Sequence, residues 1–207
     1  MSIEFAGDHM TLTEADDGSA SMTFGPKPPG ARVCGSCSLC CKLLPIPPLN
    51  KPAGKRCDYQ RHGKGCTIYA DRPDSCRAWS CRWLVDKSTA GLPRPDRAHY
   101  VIDIKPDFIT LREDGGEPRK VPVLQVWVDE AFPDAHRAPE LRAWIVKQAE
   151  RFPGAALVRT AGNTRALVLF PPSMAADGQW HERETIFHET PHTMEEIAAA
   201  LRSSTPE

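Results

Sequence analysis

Cys34-Gly35-Ser36-Cys37-Ser38-Leu39-Cys40-Cys41 opens the segment that decides how this chain is built, and Cys57, Cys66, Cys76 and Cys81 complete it. All eight cysteines of the 207 residues fall in this stretch of 48, and the other 159 residues have none. Two-residue spacers let a tight turn bring successive sulfurs onto one ion or cluster while turn amides point at them. Three sulfurs at this repeat cover three corners of a cluster or three positions around a tetrahedral ion, leaving the fourth to a distant cysteine. Cys41 leaves the backbone in a different direction from Cys40, which suits it to a second metal or to a bridge between two. The expected ligands are therefore Cys34, Cys37, Cys40, Cys41, Cys57, Cys66, Cys76 and Cys81, around one or two centres.

The distal four cysteines form no two-residue knuckle. Pro73 opens a helical turn at Asp74-Ser75-Cys76, but Cys76 and Cys81 are five apart and would diverge by about 140° on a regular helix. If both serve one metal, the helix must end between them. His62 lies between Cys57 and Cys66 and reads better as a solvated loop histidine than as an extra ligand. A triple CxxCxxC with a remote fourth cysteine is closer to ferredoxin-type ligation than to paired zinc knuckles, so spacing leans toward an iron-sulfur cluster. Eight sulfurs would also fill two zinc sites without remainder, so zinc and iron both stay open.

Joined to Cys66-Thr67-Ile68-Tyr69-Ala70-Asp71-Arg72-Pro73-Asp74-Ser75-Cys76-Arg77, the doubled-cysteine run resembles the CxxCxxCC (YkgJ-like) cysteine-cluster family. The resemblance covers residues 34 to about 81 and implies a zinc- or iron-chelating domain. A related cysteine motif in a flagellin lysine N-methylase is associated with an iron-sulfur cluster, so the resemblance permits either metal and even enzymatic use. It does not reach residues 95 to 207.

The formal net charge of -1 conceals an uneven distribution, with +7 over residues 32 to 82 and -8 over the rest. Cations near thiolates stabilise the anionic sulfurs, and Arg72 and Arg77 flank the distal cysteines, where they either face solvent or donate to sulfur or a substrate carboxylate. A nucleic-acid surface is disfavoured, because the Lys and Arg are scattered without a known recognition spacing. Met1 to Gly30 opens with Glu4 and Asp8 and lacks a basic and apolar leader pattern, and no apolar run is long enough for a bilayer, so no membrane partner is expected. A cytoplasmic location follows, and in that reducing compartment metal ligation is favoured over disulfides.

Working outward, residues 1 to 31 read as a disordered tail and a Pro/Gly linker ending in Gly25-Pro26-Lys27-Pro28-Pro29-Gly30. Residues 32 to 94 form the loop-rich metal-binding region, where Pro45, Pro47, Pro48 and Pro52 rule out a long helix. Residues 95 to 207 read as an α+β region. An antiparallel β-meander is expected over 99–104, 108–112 and 121–128, broken at Asp114-Gly115-Gly116, with further strands at 156–160 and 165–170 joined at Gly162-Asn163. Leu141, Trp144, Ile145, Ala149 and Phe152 fall at helical spacing over 139–152. A second helix follows Thr193, which forms a capping box with Glu196. Trp127 and Trp144 read as core.

His188-Glu189-Thr190-Pro191-His192 matches the zinc-protease pattern by letter only, since Pro191 forbids the continuous helix that the chemistry needs. P-loop, dinucleotide and nucleophile-elbow patterns are missing. The sequence points to a cytoplasmic metal-binding protein with a structural, redox or metal-sensing role. An iron-sulfur enzyme is the rival reading, a partner- or nucleic-acid-binding module is the third, and neither substrate nor protein partner can be named.

Overall fold

The computed structural model describes residues 2–4, 10–14, 17, 19–24, 32–112, 116–160, 165–186 and 192–203. Strands β1 (Ser2–Glu4), β2 (Met10–Glu14) and β3 (Ala20–Phe24) form a small antiparallel sheet. Much of the stretch expected as a tail is thus β-structure. The cause is visible locally: Met10 and Leu12 alternate with threonines, as do Met22 and Phe24 with polar neighbours, and Asp17 Oδ1 accepts from Ser19 N–H at the turn. The linker at 25–30 and the turn residues 114–115 and 162–163 lie outside the described residues.

The cysteine region and the stretch just after it carry four short helices, α1 (Cys40–Leu43), α2 (Asp74–Ala78), α3 (Arg82–Val85) and α4 (Pro95–Ala98), and one hairpin, β4 (Gln60–Arg61) with β5 (Gly65–Cys66). Beyond it come β6 (Tyr100–Ile102), β7 (Asp107–Leu111), β8 (Arg119–Val128), α5 (Pro139–Arg151), β9 (Ala155–Thr160), β10 (Arg165–Phe170), β11 (His181–Ile186) and α6 (Met194–Arg202). The α+β class expected from the sequence is what folds.

The strand connections differ from a simple meander. β6 and β7 pair with the same edge of β8, at opposite ends, so they are one hairpin arm interrupted at residues 103–106 rather than two successive strands. β8 then pairs in parallel with β9, because α5 returns the chain across the sheet between them. The order is β11-β10-β9-β8-β6, with β7 beside β8. Gly154, just ahead of β9, permits this approach: a Cβ there would sit 2.8 Å from Pro122 O. β11, an edge strand of sequence HERETI, was not foreseen, since its charges hide the alternation while protecting the edge.

The pleat sorts the core into two faces. Tyr100, Ile102, Val126, Val128, Ala156 and Val158 pack against Leu141, Trp144 and Ile145 of α5. On the opposite face Val101 and Trp127 meet Leu39, Leu43, Cys81 and Leu84, which docks the cysteine segment on the sheet. Phe108 joins Ile197, Ala200 and Leu201 of α6, whose first turn carries the expected Thr193–Glu196 capping box.

Candidate metal centre

Each cysteine is positioned by short local structure. The first loop turns at Gly35, where Cys37 N–H donates to Cys34 O at 2.9 Å, and α1 follows with Cys40 and Cys41 in its first turn. Leu43, 1% exposed, anchors that turn in the core. Cys57 N–H donates to Cys41 O at 3.0 Å, and Gln60, paired across the hairpin with Cys66, donates from its N–H to Cys57 O at 2.9 Å. Buried Gln60 also donates from Nε2 to Ser38 Oγ at 2.7 Å, tying the hairpin to the first loop. Gly65, at φ +81°, lies so close that a Cβ would come within 2.6 Å of Gly35 O. Cys76 sits within α2, which ends at Ala78, and Cys81 precedes α3. The helix does end between the two.

All eight cysteines line one cavity of about 560 Å³, and none is joined to another by a disulfide among the described residues. The opposite wall comes from the sheet and its neighbours: Asp103, Lys105, Gln125, Trp127 and Arg159. Arg159 donates to Gln125 Oε1 at 2.8 Å and lies 4.2 Å over the Trp127 ring, while Trp127 Nε1 is buried without an acceptor among the described residues. Trp79 Nε1 donates to Asp103 Oδ1 at 2.8 Å and fixes the wall between α2 and α3.

The sulfurs differ in their electrostatic neighbourhoods. The Cys41 sulfur, together with burial and with Cys81 and Cys34, pushes the Cys40 thiol well above its ordinary range. Its thiol hydrogen bond in turn lowers Cys41 to about 7, against burial and with help from Lys51 and Arg72. Burial raises Cys37, with a smaller push from Asp96 and Cys34. Cys66 and Cys76 are also raised by burial, and each feels Cys41 and Cys57. Cys40 thus feels Cys34 and Cys81, and Cys37 feels Cys34, while Cys66 and Cys76 feel Cys41 and Cys57; the Cys40–Cys41 thiol hydrogen bond joins the two neighbourhoods.

Two cations serve the sulfurs. Lys51, 7% exposed, donates from Nζ to Lys42 O at 2.8 Å and to Leu44 O; burial lowers its pKa against the pull of Cys41, Cys57, Cys40 and Cys76. Arg72 lines the cavity, stacks 3.7 Å over Tyr69 and donates from Nε to Tyr69 O at 2.8 Å. Arg77 faces solvent instead, and His62 is exposed in the hairpin turn away from the cavity. The donor chemistry suits a thiophilic metal: reduced sulfur, buried positive charge and turn amides. Among the described residues, no three histidine, cysteine, aspartate or glutamate side chains are drawn together as a formed metal site. The thiols ring a void rather than a point.

Sequence reasoning missed Lys51 and the sheet wall. Gln125 offered a signal, as the one polar residue in the run Val121 to Val128. Residues 188–191 of the protease-like string lie outside the described residues; His192 stacks on Phe108 at 3.9 Å, and α6 begins only after it. No protein-family model, curated protein or solved structure matches the chain.

Proposed function

We propose that the protein binds zinc or iron through cysteine thiolates, in two centres: Cys34, Cys37, Cys40 and Cys81 for one, and Cys41, Cys57, Cys66 and Cys76 for the other. The observation that carries the reading is the lining of a single cavity by all eight cysteine side chains, supplied from six separate short elements and loops. Unmetallated thiols have no evident reason to gather beside a buried lysine and a stacked arginine. The first set has the CxxCxxC-plus-remote-cysteine spacing of iron-sulfur ligation, while the second lacks any knuckle and suits a tetrahedral ion. The resemblance to CxxCxxCC cysteine-cluster proteins agrees with this reading, as does a reducing, cytoplasmic setting. When bound, the metal would neutralise the converging thiolates and fasten the loops to the sheet, in a structural, redox or metal-sensing role.

The test is elemental analysis with a visible absorption spectrum on protein purified without oxygen. Stoichiometric zinc in colourless protein, or iron with acid-labile sulfide in brown protein, is the expected result. Cys37→Ser and Cys76→Ser should each lower metal content by about one centre, and unchanged content in both rejects the assignment. The cavity volume, within the roughly 300–1,000 Å³ of small-molecule sites, favours a second reading as an iron-sulfur enzyme with the sheet wall facing substrate. Turnover lost on cluster oxidation is its signature.

A further inference from the structure

Helix α3 has a second working side. Cys81 and Leu84 line the sulfur cavity, whereas Arg82 and Val85 line another cavity, of about 370 Å³, bounded also by the end of α5 and the break between β6 and β7. Arg82 is 7% exposed. A guanidinium offers five N–H donors and keeps its charge, so burying one calls for acceptors. Among the described residues its one ion pair runs from Nη1 to Asp86 Oδ2 at 3.4 Å, and its buried Nε has no partner. Asp86 is already engaged, accepting Ser88 N–H at 2.8 Å.

More positive charge surrounds the same space. Lys105 and Arg151 line it and make no side-chain hydrogen bond or ion pair among the described residues. The other carboxylate on the wall, Asp107, is occupied by Gln125 Nε2 at 3.0 Å, by its neighbour Phe108 N–H at 2.9 Å and by His192 Nδ1 at 2.8 Å. Gln148 and Ser88 supply neutral polar groups, and Val123 and Phe152 an apolar flank. An oxyanion with a short apolar body would meet each of these groups.

We propose that this cavity binds a small carboxylate or phosphate anion, with Arg82 as the buried recognition residue and Lys105 and Arg151 as cations closing on it. Arginine's planar fork matches both head groups, and partial exclusion of water strengthens the attraction. No cysteine lines this cavity, although Lys105 borders the sulfur cavity as well and Arg82 follows Cys81 in the chain.

Isothermal titration of the full chain with inorganic phosphate and, separately, with succinate tests it at constant ionic strength set by chloride. One saturable site for either anion is expected; which of the two saturates identifies the head group. The double variant Lys105→Ala/Arg151→Ala should weaken that binding at least tenfold, and Arg82→Gln should abolish it. Should Arg82→Gln fail to fold, the double variant carries the test, because both its positions are at or near the surface. Metal content measured on Arg151→Ala, whose position lies outside the sulfur cavity, should not change. Absence of saturable heat with both anions, or wild-type affinity in the double variant, overturns the proposal.

Discussion

Residues 32–94 and residues 100–202 bury themselves by different means. Of the ten largest fully buried side chains only Leu43 belongs to the first region; Val101, Ile102, Ile104, Val121, Val126, Leu141, Ile145, Leu157 and Leu169 belong to the second. The first region's α-helices are four or five residues long, far below the length at which helices persist alone. The second has a six-stranded sheet and a 13-residue helix. One region has sulfur and cations where the other has aliphatic carbon. A fold can thus put a chemical site where its core would be, provided a neighbour supplies the stability.

On the proposed metal reading, the sharpest way to break this contrast is chelation. Structural thiolate sites hold about 10–16 kcal/mol of binding free energy, so chelation should release amide protection across residues 34–81 first and leave β8 and β9 protected in hydrogen exchange. Simultaneous loss in both regions would show them to be one cooperative unit. The reverse experiment is Leu141→Ala, at a site with 0% exposure, which should cost about 2–5 kcal/mol in denaturant unfolding while metal content per folded molecule stays constant.

Gly65→Ala probes the contact that locks the hairpin to the first loop. Its positive φ and the 2.6 Å approach to Gly35 O predict a cost of about 1–3 kcal/mol, read as weakened metal retention against a chelator with little change in the sheet. The seam between regions responds to acid. Burial acts to raise Asp129, but Lys42, donating at 2.5 Å, and Ala131 N–H outweigh it and hold the carboxyl below its ordinary value. The stability so gained is present above the unfolded carboxylate pKa and is lost as pH falls through the folded one. Asp129→Asn should flatten that acid limb. The smallest effect belongs to Trp127→Phe, which keeps a six-membered aromatic ring but loses the pyrrole ring together with its unpartnered N–H; the packing lost and the polar group relieved oppose each other, so stability should fall by about 1 kcal/mol.

Patterning exposed the second region well. α5 and β10 start where the spacing of Leu141, Trp144 and Ile145 and the run Arg165 to Phe170 said they would, because each buries one periodic face. The β8–β9 parallel pairing was not legible, since partner choice is settled by how α5 packs rather than by either strand. In the first region, the cysteines announced themselves by confinement and spacing, and the return of the distal four onto the first loop did not. That return depends on Cys57 reaching Cys41 and on the Gln60–Cys66 pairing, which are long-range contacts with no local pattern. Lys51 was hidden for the same reason: nothing in its neighbours distinguishes a buried ammonium from a solvated one.

The interruption between β6 and β7 inserts four residues, 103–106, opposite two, Leu124 and Gln125. The surplus is even, so the pleat leaves the break in phase: Ile102 and Phe108 still face the helices, and Val101 and Ile109 still face the other way. Length variation there is therefore constrained by parity. Gaining or losing a pair of residues would respace Asp103 and Lys105 and spare the sheet, whereas a single-residue change would turn Phe108 onto the opposite face, into the place that Ile109 fills beside Val121 and Val123, and draw Ile109 under α6.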